Sequence, residues 1–110
     1  MPRLCVFTGS SAGRRPAYAA AAVDLAHTLV TRGYGLVYGG ARVGLLGALA
    51  DAVLSIGGEV VGVIPEALVA REVAHTGLTD LRVVSSMHER KATMAELSSG
   101  FVAMPGGWGT

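Results

Sequence analysis

Five short apolar runs alternate along the chain with longer segments of helical periodicity. The runs are LCVFTG from Leu4, GLVYGG from Gly35, EVVGVIP from Glu59, LRVVS from Leu81 and FVAMPG from Phe101. Each is almost continuously apolar, whereas a strand with one wet face would alternate apolar and polar residues. The pattern therefore predicts five strands that are buried on both faces.

The segments between the strands predict helices, because apolar residues recur in them at intervals of three and four. In the first segment these residues are Ala19, Ala22, Val23, Ala26, Leu29 and Val30, and in the second they are Leu45, Leu46, Leu49, Val53 and Ile56. A short helix is expected at residues 66–70, and a longer one from Met87 to about Leu97. Ser86, followed three residues later by Glu89, forms a capping box that predicts the start of the last helix.

This alternation predicts a Rossmann-like α/β fold: a doubly wound, mainly parallel sheet of about five strands with helices on both faces. Residues 1–110 are expected to form a single domain, because a chain of 110 residues suffices for one core. Ligands of such sheets bind beyond the carboxyl ends of the strands. The glycine-rich turns TGSSAG, YGGARVG and PGGWGT all follow predicted strands and are expected at that edge.

Composition and charge exclude several classes of protein. The chain is 51% hydrophobic and 15% charged, which is untypical of disorder, and its net charge of +1 without a basic run excludes an electrostatic footprint for nucleic acid. No apolar segment is long enough to span a membrane or to form a signal-peptide core. The single cysteine, Cys5, excludes an internal disulfide and favours a cytoplasmic location; within a strand, it is expected to be buried.

The glycine turns are candidates for binding an anion. Backbone N–H groups at the start of a helix attract phosphate or carboxylate, and glycine lets the backbone approach closely. The NAD fingerprint and the P-loop lysine are absent, Lys91 is the only lysine, and no cluster has metal-ligand spacing. We therefore expect neither a cofactor nor a metal. A structural explanation, in which the glycines only make sharp turns, stays open.

Arg90 is the strongest candidate for contacting a negatively charged ligand. One face of its predicted helix carries Met87, Arg90, Met94 and Leu97. An arginine on such an apolar face needs an anion, and a cation in the first turn opposes the helix dipole. Two alternatives stay open: a pair with an internal carboxylate such as Glu72 or Asp80, or a side chain that extends to water.

Other polar and aromatic residues are less informative. Lys91 could reach the same cleft, although on its own it is more typical of a solvated lysine. His27, His75 and His88 are expected at the surface. Trp108 either stacks on a base or covers its loop from outside, and the sequence favours neither.

Two segments resemble the signature motifs of the Lonely Guy family: SMHERK at residues 86–91 and PGGWGT at residues 105–110. CVFTGSS and LVYGGARVGLLGALA also resemble its opening strands and turns, so the likeness covers nearly the whole chain. The family consists of cytokinin riboside 5′-monophosphate phosphoribohydrolases, often described as lysine decarboxylases. The resemblance implies a Rossmann-like homodimer that hydrolyses the N-glycosidic bond of AMP-like nucleotides, releasing an adenine-type base and ribose 5-phosphate.

The resemblance also implies roles for individual residues. Arg90 takes the position of the family's catalytic arginine, and Glu72 and Lys91 take substrate-binding positions. The nucleotide-binding loop would comprise Gly106, Gly107, Trp108, Gly109 and Thr110. The family motif continues past its threonine to glutamates, one of them catalytic, so we expect this nucleotide-binding domain to be truncated and residues 1–110 alone to be inactive. A non-catalytic nucleotide-binding or sensing module of the same fold is the alternative.

Overall fold

The five apolar runs form the strands of one parallel sheet. The structure, a computed structural model, describes residues 2–8 and 16–104. The strands are β1 (Arg3–Thr8), β2 (Gly35–Tyr38), β3 (Val60–Pro65), β4 (Asp80–Val84) and β5 (Gly100–Met104). They are arranged in the order β4-β3-β2-β1-β5, and all four pairings are parallel. The prediction of a mainly parallel, five-stranded sheet is therefore confirmed.

Three helices connect the strands, as the periodicity predicts. They are α1 (Pro16–Thr31), α2 (Gly44–Ser55) and α3 (Met87–Leu97), and a single 3-10 turn spans Glu66–Leu68 in the connection between β3 and β4. None of the helices in the described part of the chain has the length and apolar character needed to cross a membrane. Where a short helix is expected, at residues 66–70, the structure has only the 3-10 turn at Glu66–Leu68.

The helices cover both faces of the sheet. Helices α1 and α2 pack on the face that carries Val6, Leu36, Tyr38 and Val60, whereas Met94 and Leu97 of α3 pack on the opposite face. The successive steps from β1 to β4 move across the sheet in one direction, and the step from β4 to β5 returns to the far side. Since crossovers are right-handed, the return places α3 on the other face.

Because all four pairings are parallel, the carboxyl ends of the five strands lie at one edge of the sheet. The glycine turn after β2 and the connection after β3 both leave the sheet there. The predicted glycine turns after β1 and β5 are TGSSAG at residues 8–13 and PGGWGT at residues 105–110. From residue 9 onwards the first of them, and all of the second, lie outside the described residues. The turn after β2 and the connection after β3 are therefore the described segments at the edge where a ligand is expected.

Four details differ from the expectations. The edge strands β4 and β5 are not buried on both faces as predicted, since most of their residues are exposed or half-buried. Val23 and Met87 lie on the predicted apolar faces, but they are 46% and 49% exposed. His75, expected at the surface, is buried. His27 and His88 are exposed and Cys5 is buried, as predicted.

Candidate functional site

Arg90 is anchored at the carboxyl edge of the sheet by three hydrogen bonds. Its Nε donates to the carbonyl of Val63 at 2.9 Å, and its Nη2 donates to the carbonyl of Gly39 at 2.7 Å. The same Nη2 donates to Glu72 Oε1 at 2.9 Å. The Arg90 side chain is only 13% exposed, so the guanidinium does not extend into water.

The glycine at position 39 is necessary for this arrangement. A Cβ atom built on Gly39 would overlap Nη2 of Arg90, so any other residue would displace the guanidinium. Gly39 directly follows β2, and Val63 lies in the carboxyl half of β3. Arg90 thus satisfies carbonyl groups of two central strands where the ladder ends, which ties α3 to the sheet.

The start of α3 aims Arg90 at the sheet. Ser86 is the N-cap residue, and its Oγ accepts from the backbone N–H of Glu89 at 3.1 Å, which confirms the first half of the capping box. The Glu89 carboxylate reaches Ser85 rather than Ser86, accepting from Ser85 N at 2.6 Å and from Ser85 Oγ at 2.7 Å. These bonds lower the pKa of Glu89 below its usual range. The bonds of Ser86 and of the Glu89 carboxylate therefore both fix the first turn of α3.

Glu72 is supplied by the connection between β3 and β4. Its own N–H donates to Leu68 O at 2.8 Å, and the next residue, Val73, has a φ of 51°, a left-handed conformation that β-branched residues rarely adopt. The Glu72 side chain is 35% exposed, so its second oxygen can face solvent or a ligand. Glu72 reaches Arg90 from a non-regular segment that must itself be held in place.

A cleft of about 280 Å³ lies beside Arg90. It is lined by Val6, Phe7, Gly39, Leu46, Met87, Arg90, Lys91 and Met94. Its walls are mainly apolar, and its two cations, Arg90 and Lys91, come from consecutive positions of α3. Such a combination of apolar walls and a few charged groups is typical of a small-molecule site for an anion that also carries a flat apolar part.

Part of the Arg90 guanidinium is available to a ligand. Within residues 2–8 and 16–104, the only hydrogen bond of Nη1 is a weak one to Met87 Sδ at 3.8 Å. A guanidinium has five N–H donors in a rigid fork, and those of Nη1 can donate to a phosphate or carboxylate. Arg90 can bind and orient an anion there, but it cannot act as a base, since it stays protonated.

Of the residues that the sequence singles out, Arg90 and Lys91 line the same cleft, and Glu72 contacts Arg90. The internal pair of Arg90 with Glu72, one of the open alternatives, is present, whereas Asp80 pairs with Arg82 at 3.0 Å instead. Lys91 lines the cleft and is also exposed. The predicted loop residues Gly106, Gly107, Trp108, Gly109 and Thr110 lie outside the described residues.

Two other kinds of chemistry find no support in the described part of the chain. No group of three or more His, Cys, Asp and Glu side chains there could hold a metal ion. Cys5 is buried on the α3 face of the sheet, and burial raises the pKa of its thiol despite an opposing hydrogen bond with Ser98. A thiol in that state is a poor nucleophile.

Comparison with solved structures defines the class of fold. A molybdenum cofactor carrier protein from Chlamydomonas reinhardtii superposes with a TM-score of 0.75 at 22% identity, over 96% of this chain and 63% of that one. A molybdenum cofactor binding protein from Rippkaea orientalis superposes with a TM-score of 0.74 at 17% identity, over 96% and 63% of the respective chains. These likenesses establish a shared Rossmann-like architecture.

Comparison of sequences establishes the family. Residues 46–110 match the family described as "Possible lysine decarboxylase", and the chain belongs to it. It is 54% identical over 108 residues to a probable cytokinin riboside 5′-monophosphate phosphoribohydrolase of Oryza sativa subsp. japonica, over 98% of this chain and 48% of that protein. It is 50% identical over 108 residues to a cytokinin riboside 5′-monophosphate phosphoribohydrolase of Arabidopsis thaliana, over 98% and 47% of the respective chains. The chain thus spans about half the length of these relatives.

Proposed function

We propose that the protein hydrolyses the N-glycosidic bond of AMP-like nucleotides, including cytokinin riboside 5′-monophosphates. The products are a free adenine-type base and ribose 5-phosphate. The observation that carries this proposal is the anchored Arg90, which lines a mainly apolar cleft at the carboxyl edge of the sheet. The relatives that bear this activity in their names support it, since the likeness extends over 98% of the chain.

The charge distribution of the cleft suits a nucleoside monophosphate. Arg90 and Lys91 offer positive charge to the phosphate or to the anionic part of the substrate, and the apolar walls suit a purine. Arg90 is the proposed catalytic residue, and Glu72 and Lys91 are the proposed substrate-binding residues. The segment Gly106–Thr110 is proposed to complete the nucleotide-binding loop.

Breaking a ribosyl C1′–N bond builds positive charge on the sugar, and a carboxylate is needed to stabilise that charge or to activate water. Of the acidic residues in the sequence, Glu72 is the one that contacts Arg90, and its Oε1 is already engaged. Glu89 is engaged at the N-terminus of α3. We therefore expect a polypeptide of residues 1–110 alone to release no base. We propose that a chain extended to the length of the relatives, called the full-length protein below, supplies a further carboxylate.

We also propose that the protein acts in the cytoplasm as a homodimer. Two aromatic side chains on the α3 face of the sheet support self-association, since Phe7 is 47% exposed and Phe101 is 59% exposed. Both border the same apolar depression beside Met94. Exposed aromatic residues clustered in this way are typical of surfaces that another chain covers.

The direct test is base release from AMP and from isopentenyladenosine monophosphate by the full-length protein, followed by chromatography. We expect free adenine or free isopentenyladenine to appear with ribose 5-phosphate in equal amounts. A matched variant, Arg90→Gln, should bind nucleotide weakly and release little base, whereas Glu96→Gln, at an exposed position of the same helix, should leave the rate unchanged. Binding of AMP without base release would contradict hydrolysis and favour the non-catalytic nucleotide-binding or sensing module.

A further inference from the structure

His75 belongs to the same β3–β4 connection as Glu72, and its buried side chain contacts Asp51 of α2. Its residue exposure is 8%, yet both ring nitrogens have partners. Nε2 lies 2.7 Å from Asp51 Oδ1 on α2, and Nδ1 accepts the N–H of Gly77 at 3.0 Å. A ring held at both nitrogens in this way has one orientation and links two parts of the fold.

The partners also fix the tautomer of the ring. The backbone N–H of Gly77 can only donate, so Nδ1 must be the acceptor and Nε2 must carry the proton. Nε2–H therefore donates to the Asp51 carboxylate. The close approach depends on the glycine, because a Cβ built at position 77 would lie 3.0 Å from Cε1 of His75.

The backbone around His75 is hydrogen-bonded to the glycine turn after β2. The N–H of His75 donates to Gly40 O at 2.8 Å, and the N–H of Arg42 donates to Val73 O at 2.7 Å. Between these bonds, Ala41 and Ala74 form an isolated antiparallel bridge. The connection thus lies directly on the turn whose Gly39 carbonyl receives Arg90.

The contact between the β3–β4 connection and the glycine turn depends on stabilisation from outside the connection. The chain passes through a left-handed φ of 51° at Val73, immediately after Glu72, and such a conformation persists only where surrounding contacts enforce it. Leu68 and Val69 provide short-range bonds to Glu72 and Ala74, respectively, but these bonds stay within the connection itself. The side chain of His75 joins this segment to helix α2 through Asp51.

We propose that His75 is a positioning residue that, through its bond to Asp51, clamps the β3–β4 connection onto the glycine turn and so holds Glu72 against Arg90. The inference rests on the proposed function, because it assigns His75 to the same nucleotide site. It adds a residue that lies outside the cleft and reaches it only through the backbone from Val73 to His75. Without the clamp, Glu72 would lose its fixed distance from Arg90, and the guanidinium its fixed orientation.

Two amide replacements separate the bonds of the ring. His75→Gln places an amide nitrogen near the position of Nε2, so it can still donate to Asp51, whereas His75→Asn places an amide oxygen near Nδ1 and can only keep the bond from Gly77. We expect His75→Asn to bind AMP roughly tenfold more weakly in the full-length protein, since a hydrogen bond to a charged group is lost. His75→Gln should restore most of the affinity, and His27→Gln, at an exposed histidine of α1, should have no effect.

Hydrogen exchange provides a readout that does not depend on the nucleotide. Exchange of the Arg42 and His75 amides should accelerate roughly tenfold in His75→Asn and stay near the original rate in His75→Gln. Asp51→Ala serves as a second variant that keeps the buried ring, because the Asp51 side chain is 62% exposed and its loss leaves the core intact. Asp51→Ala should weaken AMP binding and accelerate exchange of the two amides as His75→Asn does.

Unchanged exchange in both His75→Asn and Asp51→Ala would overturn the clamp. Faster exchange with unchanged AMP affinity would also overturn it, because the segment would then be loosened without effect on the site. If the unaltered protein bound no AMP, the proposed function would fail, and the exchange rates alone would then decide whether His75 holds the connection.

Discussion

Arg90 Nη2 lies 2.9 Å from Glu72 Oε1 and donates at the same time to the carbonyl of Gly39 at 2.7 Å. One nitrogen atom therefore joins α3, the β3–β4 connection and the turn after β2. These segments follow β4, β3 and β2, respectively. The guanidinium therefore connects the segments that leave three neighbouring strands at the carboxyl edge of the sheet. Among the described residues, the other terminal nitrogen, Nη1, makes only a weak hydrogen bond to Met87 Sδ, and Arg90 lines the cleft.

Replacing Arg90 by lysine tests whether the guanidinium is needed rather than its charge alone. An ammonium group cannot reach Val63 O, Gly39 O and a ligand together, because it lacks the planar fork of donors. We expect Arg90→Lys to lower kcat/KM for AMP by about a hundredfold or more in the full-length protein. Steady-state kinetics check this, and Arg82→Lys, which changes an exposed arginine of β4, is the matched control.

A full rate in Arg90→Lys would show that a point charge suffices at this position. The bonds to Val63 and Gly39 would then be structural only.

Gly39→Ala tests the close approach of the turn to Arg90. The added Cβ overlaps Nη2, so the guanidinium must move, while the backbone at position 39 does not have the positive φ that disfavours alanine. We expect the affinity for AMP to fall by roughly tenfold with little change in stability, since the bond to Gly39 is lost at the edge of the core. Isothermal titration and urea unfolding measure the two quantities.

Gly100→Ala is the control for Gly39→Ala, because its Cβ would meet only the flexible end of Leu4, at 3.1 Å. Equal AMP affinity in the unaltered protein, Gly39→Ala and Gly100→Ala would contradict the role given to Gly39.

The sequence predicts the frame of this site well, because the frame depends on local patterns. The continuous apolar run that ends in Tyr38 predicts a buried strand, and Ser86 with Glu89 predicts the start of α3, and both are confirmed. Arg90 stands out because it breaks the apolar face of its helix. Its pair with Glu72 is one of several that the sequence allows, since no local rule chooses between Glu72 and Asp80.

The parts that the sequence does not predict depend on contacts between distant segments. His75 is polar and lies in a stretch without periodicity, so nothing local indicates that it is buried against Asp51, 24 positions earlier. Two acceptors of Arg90 are backbone carbonyls 51 and 27 positions away, and every residue has such a carbonyl. The glycine at position 39 offers the one signal, but a glycine turn has several explanations.

The pKa of Glu89 predicts a dependence of stability on pH. Hydrogen bonds from Ser85 hold this pKa below its usual range in the folded protein. A depressed pKa stabilises the fold above the pKa of the unfolded chain, and the contribution is lost as the pH falls through the folded value. We expect Glu89→Gln to lower the urea midpoint at neutral pH, with a difference that narrows steadily below about pH 4.

Urea unfolding curves across this pH range provide the measurement, with Glu66→Gln, an exposed glutamate outside α3, as the control. If the difference in urea midpoint between Glu89→Gln and the unaltered protein stayed constant with pH, the charge of Glu89 would not contribute to stability.

The thiol of Cys5 is expected to react slowly in the folded protein. Burial raises its pKa, so less of it is thiolate at any given pH than for a free cysteine. Alkylation by iodoacetamide at about pH 8 should be many times slower in native buffer than in urea, as followed by mass spectrometry. Equal rates in the two conditions would show that the α3 face of the sheet opens readily around Cys5.

The most direct measurement of the central claim is the affinity of the full-length protein for AMP and for adenosine, with and without Arg90. If the guanidinium binds the nucleotide's negative charge, AMP binds at least tenfold more tightly than adenosine, and Arg90→Gln removes most of that difference while leaving adenosine binding nearly unchanged. Equal affinity for the two ligands in the unaltered protein, or an undiminished preference for AMP in Arg90→Gln, would contradict the account.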